Sequence, residues 1–548
     1  MRRTSRILTW VFVLIASTIS TAFRAQEPAP DDDKIIADYT EAIKFNPKDV
    51  AAYIERGGAW ERKGEFDKAI ADLDEALKLD PKSILALYNR GYARFAKAEI
   101  DKAIADYSEV INLDPKFATA YVGRGYARLI QGKHHEAIAD FSEAIRIDPK
   151  DVRAYYNRAL AWQRNGEFDK AIQDFSEVIK LEPKAPDGFH GRAIARFSRG
   201  QFDQAVADFS EAIKLNPGSA TAYLGRGGTW SMMRENDKAI ADYSEAIKLD
   251  PRNTSAFVGR GTAWGSKGDL DKAIADFSEA IRLNPKTARA YYDRAITWNQ
   301  KQEFDKAIAD YTEAIKLNPR DASSYHGRGY ALRRTKQHDR AIADFSEAIK
   351  LDPRNPVAYA NRAVLWKIKK EYDKAVADYD EAIKLDPRSP ELHFNRGVAY
   401  WLLLRDGDAI AGMNRVLEDG GWGTLQAPYA AILGHLSARR SGKVEEARKF
   451  LDDYQAKAHK TAWPLPVVRY LRGEIDEEAL LAASTDDDKR AESHTYLGID
   501  KLLKKRPDAA KTHFRWVREH GKPSLIEYAL SLAELDRLEK TGATDAKP

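Results

Sequence analysis

The 548-residue chain sets 88 Lys and Arg against 84 Asp and Glu, a formal net charge of +4, and contains no cysteine. The missing cysteine excludes disulfides, thiol catalysis, thiolate metal sites and a lipidated N-terminal Cys. The small positive excess is spread along the chain without a basic block, so a nucleic-acid partner is not implied: neutralising phosphates takes a concentrated excess of Lys and Arg.

The N-terminus reads as an export signal. Basic "MRRTSR" is followed by an apolar run from Ile7 to Ala16 and then by small and polar residues, with cleavage expected after Ala22 or Ala25. The run is shorter than the about 20 residues a spanning helix needs. Arg2-Arg3 lacks the rest of a twin-arginine motif and serves as an ordinary basic flank. The mature chain is therefore expected to be exported, periplasmic or secreted, without a stable membrane anchor.

From Lys34 onward one pattern takes over. Proline recurs at Pro47, Pro81, Pro115, Pro149, Pro183, Pro217, Pro251, Pro285, Pro319, Pro353 and Pro387, always 34 residues apart. A fixed period of this length means stacked supersecondary units, none of which can bury its apolar stripe alone. In one such unit the spacing predicts a first helix over Ala288 to Gln300, with Ala290, Tyr291, Arg294, Ala295 and Trp298 at intervals of three and four. A polar break follows, often with Gly, and then a second helix over Phe304 to Leu317 carrying Ala307, Ile308, Tyr311, Ala314 and Ile315. Asn or Asp before Pro ends it, because the residue preceding proline is pushed out of helical geometry.

Tyr291, Ala295, Trp298, Ala307, Tyr311, Ala314 and Pro319 together resemble the tetratricopeptide repeat (TPR) family, whose pattern is aromatic, Leu-Gly, aromatic in the first helix and Ala, aromatic, Ala, Pro in the second. The resemblance implies an all-α TPR solenoid, a right-handed superhelix of helix-turn-helix repeats. Ten 34-residue units occupy residues 50–389, a half unit precedes them (26–49), and a degenerate unit follows (390–423).

The departure is the Leu of Leu-Gly, which here is arginine: Arg56, Arg90, Arg124, Arg158, Arg192, Arg226, Arg260, Arg294, Arg328, Arg362 and Arg396. The second helices carry equally regular acid pairs, from Asp38/Glu41 to Asp378/Glu381. A guanidinium held against a core needs a carboxylate to offset its desolvation. If each Arg pairs with the preceding unit, all eleven find an acid pair and none is left over. If each pairs within its own unit, Arg396 faces Gly412 and Arg415, and Asp38 has no Arg. Counting thus predicts Arg56 with Asp38, Arg328 with Asp310 or Glu313, and Arg396 with Asp378 or Glu381, in a structural ladder that sets the register between units.

Beside the packed face of the first helix runs a stripe that varies from unit to unit: Tyr88, Tyr92 and Phe95; Tyr126; Tyr156; His190 and Phe197; Tyr292; His326, Tyr330 and Arg333. In TPR proteins the equivalent stripe lines the concave peptide-binding groove, and Tyr suits such a surface because it is large, stiff and amphipathic. The alternative is packing against the neighbouring first helix or a second copy of the chain. The Lys and Asn of the clamp by which some TPR domains grip a terminal carboxylate are absent; their positions hold Ile54/Gly58, Tyr88/Tyr92 and so on.

After Gly420-Gly421 the strict frame is lost while helical character persists. "YAAILGHLSARRSGKVEEARKFLDDY" keeps Leu433-Gly434 and Ala447, and "SHTYLGIDKLLKKRPDAAKTHFRWVREHG" keeps Leu497-Gly498, Ala510 and Phe514. With "WPLPVVRYLRGEIDEEALLAAS" between them and a final helix around "SLIEYALSLAELDRLEK", residues 425–540 resemble the C-terminal half of NlpI-type TPR lipoproteins of the bacterial envelope. That resemblance implies a non-catalytic adaptor holding envelope hydrolases or proteases, although the anchoring Cys of those proteins is missing here. Residues 541–548 read as a disordered tail.

No enzymatic constellation emerges. His134-His135 lacks further metal ligands, no H-E-x-x-H occurs, and the G-R-G triplets at Gly225 and Gly259 lie inside first helices without a preceding strand. The expectation is a scaffold without catalysis, cofactor or metal that binds segments of partner proteins, oligomeric or not. Its rivals are a self-assembling structural protein and, last, an enzyme with a site in 425–540.

Overall fold

The computed structural model describes residues 31–457, 463–523 and 525–544; the expected signal segment, with Ala22 and Ala25, lies outside them. Among the described residues there are 30 α-helices and no strand. They form two compact units that divide between Pro285 and Lys286.

Each repeat builds itself from local signals. The first helix Ala288–Gln300 and the second helix Phe304–Leu317 have the bounds that the periodicity predicts. First helices commonly start on a side-chain cap: Asp49 accepts from the Ala52 N–H, Asn253 from Ala256, and Asp321 from Ser323 and Ser324. The break between the helices needs one left-handed residue. Five units use Gly there (Gly64, Gly132, Gly166, Gly200, Gly268), whereas Ala98, Arg234, Gln302, Lys336, Lys370 and Leu404 take the same conformation with a Cβ. At the far end the Asp80 N–H bonds the Ala76 carbonyl and its carboxylate accepts the Lys82 N–H at 3.0 Å, so the Asp-Pro step is a capped stop.

Packing follows from small residues facing large ones. Ala69, Ala76, Ala307 and Ala341 are fully or almost fully buried, as are the second-helix rings of Phe141, Phe209, Tyr243 and Phe345. The glycine of a G-R-G triplet is part of this fit: a Cβ on Gly225 would lie 2.5 Å from the Phe209 ring. These glycines admit an aromatic ring of a second helix.

The arginine ladder exists, but its principal partner is not the one that counting predicts. From Arg56 to Arg362, ten arginines each fork onto the Asp 16 residues later in their own unit; Arg328 bonds Asp344 through Nε at 2.7 Å and Nη2 at 2.8 Å. Asp310 therefore belongs to Arg294, Asp378 to Arg362, and Asp72 to Arg56. The second acids point outward, Glu313 to Lys316 and Glu381 to Lys384. The contact with the preceding unit is made by the remaining nitrogen: Nη1 of Arg328 donates to Thr312 Oγ1 at 3.1 Å, as Arg56 does to Thr40 and Arg226 to Ser210. Those hydroxyls spend their own proton on the carbonyl four residues back, which leaves a lone pair for the arginine.

The counting failed at the ends of the ladder, where a mismatch costs little. Asp38 lies in solvent, and Arg396, which has Gly412 in place of an Asp, takes Asp380 of the preceding unit at 2.5 Å. The bond to its own Asp first raises the Arg328 guanidinium pKa, against the opposing effect of burial.

Beyond Asp419 the helices thicken into a larger core holding Trp401, Phe450, Tyr496 and Phe514. The pairs Ala427–Arg440 with Val444–Lys457 and Asp487–Leu503 with Pro507–His520 repeat the helix-turn-helix fit, since Cβ atoms on Gly434 and Gly498 would lie 2.5 Å from Phe450 and Phe514. Two short helices, Leu465–Leu471 and Glu477–Ala483, lie between them in sequence. The last helix, Ile526–Thr544, runs past Thr541, where the tail was expected to start, because its apolar face (Leu530, Leu535) is buried; residues 545–548 lie outside the described residues. It is tied back to the repeats by Arg537 on the Leu402 carbonyl, by Glu534 on Arg440 and by Asp536 on Lys370.

Inside this core two carboxyls are buried near each other. Glu492 accepts from Trp463 Nε1 at 2.6 Å and Tyr429 Oη at 3.2 Å, and Glu527 accepts from Tyr496 Oη at 2.7 Å. Burial, and then the Glu527 charge, push Glu492 up to about 7.

Two outcomes follow. Asp344→Ala strands a part-buried guanidinium and should cost about 3 kcal/mol, whereas Asp38→Ala should stay within about 0.5 kcal/mol; urea unfolding of both variants checks this, and equal losses would contradict it. Because the folded Glu492 carboxyl holds its proton more tightly than the unfolded one, stability should fall as pH rises from about 4.5 to about 7 and this contribution should level off above. Glu492→Gln should reduce that decline by its own share, worth about 3 kcal/mol at most, leaving the part that belongs to Glu527, which burial also raises; amide hydrogen exchange in Asp487–Leu503 at pH 5 and 8 reads this, and an unchanged decline would refute the assignment.

Candidate functional site

Within each compact unit, first helices approach neighbouring first helices as well as their own second helices, so they form a row. The ladder occupies one side of that row. The variable stripe occupies the side next to it, and its residues differ in how far they are committed to packing.

The first position of the stripe is an anchor. Tyr88 packs on Tyr107 and Phe117 with centroids 5.7 and 5.4 Å apart, Tyr156 on Phe175, Tyr292 on Tyr311 and His326 on Phe345. His190 goes furthest. It is 7% exposed, stacks edge-on to Phe209, and burial pulls its imidazole down to about 4, so it is a neutral core residue and not a groove lining. Phe197 rests on Phe202 of its own unit, and Phe95 meets Tyr126 of the next first helix at 5.3 Å. Both readings of the stripe thus have their residues: the packing is mostly onto the unit's own second helix, a partner the sequence reading did not consider.

The later positions stay open. Tyr92 is 46% exposed, and Tyr126, Tyr330 and Arg333 are part-buried. Arg333 lies over the Tyr330 ring at 5.4 Å, and its buried Nε has no hydrogen-bond partner. One unit later, at the same place on the first helix, Lys367 is crowded enough that burial lowers its ammonium pKa to about 8; it donates to Asn395 Oδ1 at 3.4 Å. Lys367 escaped the sequence reading because its unit fills the other two stripe positions with Ala360 and Val364. A comparison of position with position, Arg333 against Lys367, would have found it.

Two polar clusters in the C-terminal region are engaged internally. Asp500 is held by Arg439, Tyr470 and Lys504, and His513 sits between His494 at 2.9 Å and Glu477 at 3.3 Å. Among the described residues no group of His, Asp and Glu is arranged to hold a metal ion. A cavity of about 360 Å³ lies over Leu417, Trp422 and Phe450 with Glu418, Asp453 and Lys457 at its rim, a lining of both charge signs.

Comparison with known proteins agrees with this architecture. Models described as "TPR repeat" match residues 62–97, 91–129, 125–166 and 367–403, and models described as "Tetratricopeptide repeat" match 152–185, 190–253, 231–287, 260–321 and 300–356. No curated protein matches the chain. Among solved structures, a tetratricopeptide repeat protein from Parabacteroides merdae is 22% identical over 46% of this chain and 99% of its own, with a TM-score of 0.38. YrrB, described as a TPR protein with an unusual peptide-binding site, is 21% identical over 34% of this chain and 97% of its own (TM-score 0.30). Yeast Tom70 is 16% identical over 78% and 99% (TM-score 0.33). With matched repeats covering more than half of its length, and helix pairs that repeat at the same period, the chain belongs to the tetratricopeptide repeat family.

Proposed function

We propose that the chain is an exported scaffold that binds segments of partner proteins on its first-helix row, and that it brings envelope proteases or hydrolases together with their targets. One observation carries the binding reading: on a surface where arginines and acids are consumed by the ladder, side chains that vary between units are not fully packed away, Tyr92 being exposed and Tyr126, Tyr330 and Arg333 part-buried. Large, stiff aromatic groups beside a cation supply contact area at low entropic cost, as protein-binding surfaces require. Repeats of this kind suit an extended or helical segment with apolar anchors. The envelope setting rests on the basic and apolar N-terminal segment and on the NlpI-type order of residues 425–540.

The ladder itself is a poor place for catalysis, because each acid is already engaged and each unit offers the same one. The self-assembly reading is favoured by one observation, the exposed apolar residues Leu85, Val357 and Ile368 on first helices.

Cross-linking and mass spectrometry in an envelope extract, with the chain from Gln26 onward as bait, tests the proposal. A variant with Tyr92, Tyr126 and Tyr330 changed to Ala runs beside it; Tyr88 and His190 are kept because they pack. A defined peptidase or hydrolase should be recovered by the parent and reduced at least tenfold with the variant, about 1.4 kcal/mol or more. Recovery of the chain alone from both baits would replace the scaffold with self-assembly.

A further inference from the structure

Most part-buried cations among the described residues have carboxylates; Arg164, Arg333 and Lys367 are departures. The ladder arginines fork onto aspartates, and where a second arginine lies one turn further along, as at Arg94, Arg128 and Arg196, it shares the same Asp106, Asp140 or Asp208. Arg289 near the start of its helix takes Asp293. Arg333 and Lys367 have no ion pair with any carboxylate among the described residues. An uncompensated cation in a crowded, poorly hydrated place is costly, and the cost is recovered when an anion arrives.

The neighbours of these two side chains are arranged to receive an anion. Asn395 is oriented by its Nδ2, which donates to the Glu391 carbonyl at 3.0 Å, so its Oδ1 faces the Lys367 ammonium. One unit earlier, Asn361 at the same helix position contacts His326 Nε2 at 3.2 Å, and burial followed by the Arg333 charge lowers the His326 pKa. A cation and, 28 residues later, an asparagine on the next first helix therefore recur in two successive units, Arg333 with Asn361 and Lys367 with Asn395. The equivalent first-helix position earlier in the chain holds Glu61, Phe95, Leu129, Gln163, Phe197, Ser231, Gly265 and Asn299, none of them a cation.

We infer that Arg333 and Lys367, flanked by Asn361 and Asn395, form a carboxylate-binding site for an acidic segment of a partner protein. The inference rests on reading the first-helix row as a docking surface and adds the chemistry of what docks. Two cations 34 residues apart fit a pair of spaced carboxylates; a nucleic acid would call for a longer basic track. The site differs from the terminal-carboxylate clamp, whose Lys and Asn positions are occupied here by His326 and Tyr330 and, one unit on, by Ala360 and Val364.

Fluorescence anisotropy with the full chain provides the test, using labelled hexaglutamate with a free C-terminus, its C-terminally amidated form, and hexaglutamine. Hexaglutamate should bind and hexaglutamine should not. Lys367→Met and Arg333→Met should each weaken binding by about tenfold or more, Lys367→Arg should restore most of it, and Lys350→Met, on an outer helix beside Glu347, should change it less than about twofold. Circular dichroism melts confirm that the variants are folded. Indifference to amidation assigns the site to side-chain carboxylates, and loss on amidation to a chain terminus; either supports it. Absence of hexaglutamate binding, equal weakening by all three Met variants, or equal binding of an oligothymidylate would overturn it. If hexaglutamate fails while the tyrosine variant still loses its captured partner, the docking surface stands and the anion site alone falls.

Discussion

The bidentate bond between a first-helix arginine and the second-helix aspartate of the same unit is the constraint on which the rest of this protein depends. A leucine at that position would fill space and tolerate a range of angles between the helices. A guanidinium fork does not, because two parallel N–H bonds fix both distance and orientation. With Asp344 only 6% exposed, the pair cannot be exchanged for water when the helices shift. The remaining Nη1, bonded to a Ser or Thr of the preceding unit, carries that orientation forward, so one side chain sets the geometry within a unit and the register to the one before. The same arginine is steadied by a ring three residues earlier, as Arg328 is by Tyr325 at 5.7 Å.

This arrangement explains why the units are so alike and where they are free to differ. The Arg, the Asp, the hydroxyl, the small residues at the helix contact and the buried second-helix ring form one coupled set, and a change in one leaves a polar group unpaired or a cavity open. Only positions outside the set can vary without that cost. They are the later stripe positions of the first helix, where Tyr92, Tyr330, Arg333 and Lys367 stand. In a repeat array, stability is a sum of near-identical local terms, whereas specificity comes from the few residues that break the repetition.

Much of this was legible in the sequence. The 34-residue period and the helix bounds at Ala288–Gln300 and Phe304–Leu317 follow from spacing. The partner of the arginine did not, for a definite reason. Counting rewards an assignment with no acid left over, but Asp38 at the open end of the array is solvated and loses little by having no arginine, and Arg396 replaces its missing Asp with Asp380. The hydroxyl at Thr312 or Ser346 gave no sign of its role, since Ser and Thr are common on helices for other reasons. The stripe was legible as a stripe, yet its division into anchors such as His190 and open side chains such as Tyr92 depends on which rings the second helix places opposite, and periodicity does not report that.

A double-mutant cycle on one rung measures the central claim directly. Arg328 would be changed to Met, alone and together with Asp344→Ala, Thr312→Val and Asp310→Ala, with unfolding free energies taken for every single and double variant. The account predicts a coupling of about 2 kcal/mol or more with Asp344, a smaller one of about 0.5–1 kcal/mol with Thr312, and none beyond error with Asp310. A dominant coupling with Asp310 would contradict it, and would return the main bond of the ladder to the space between units.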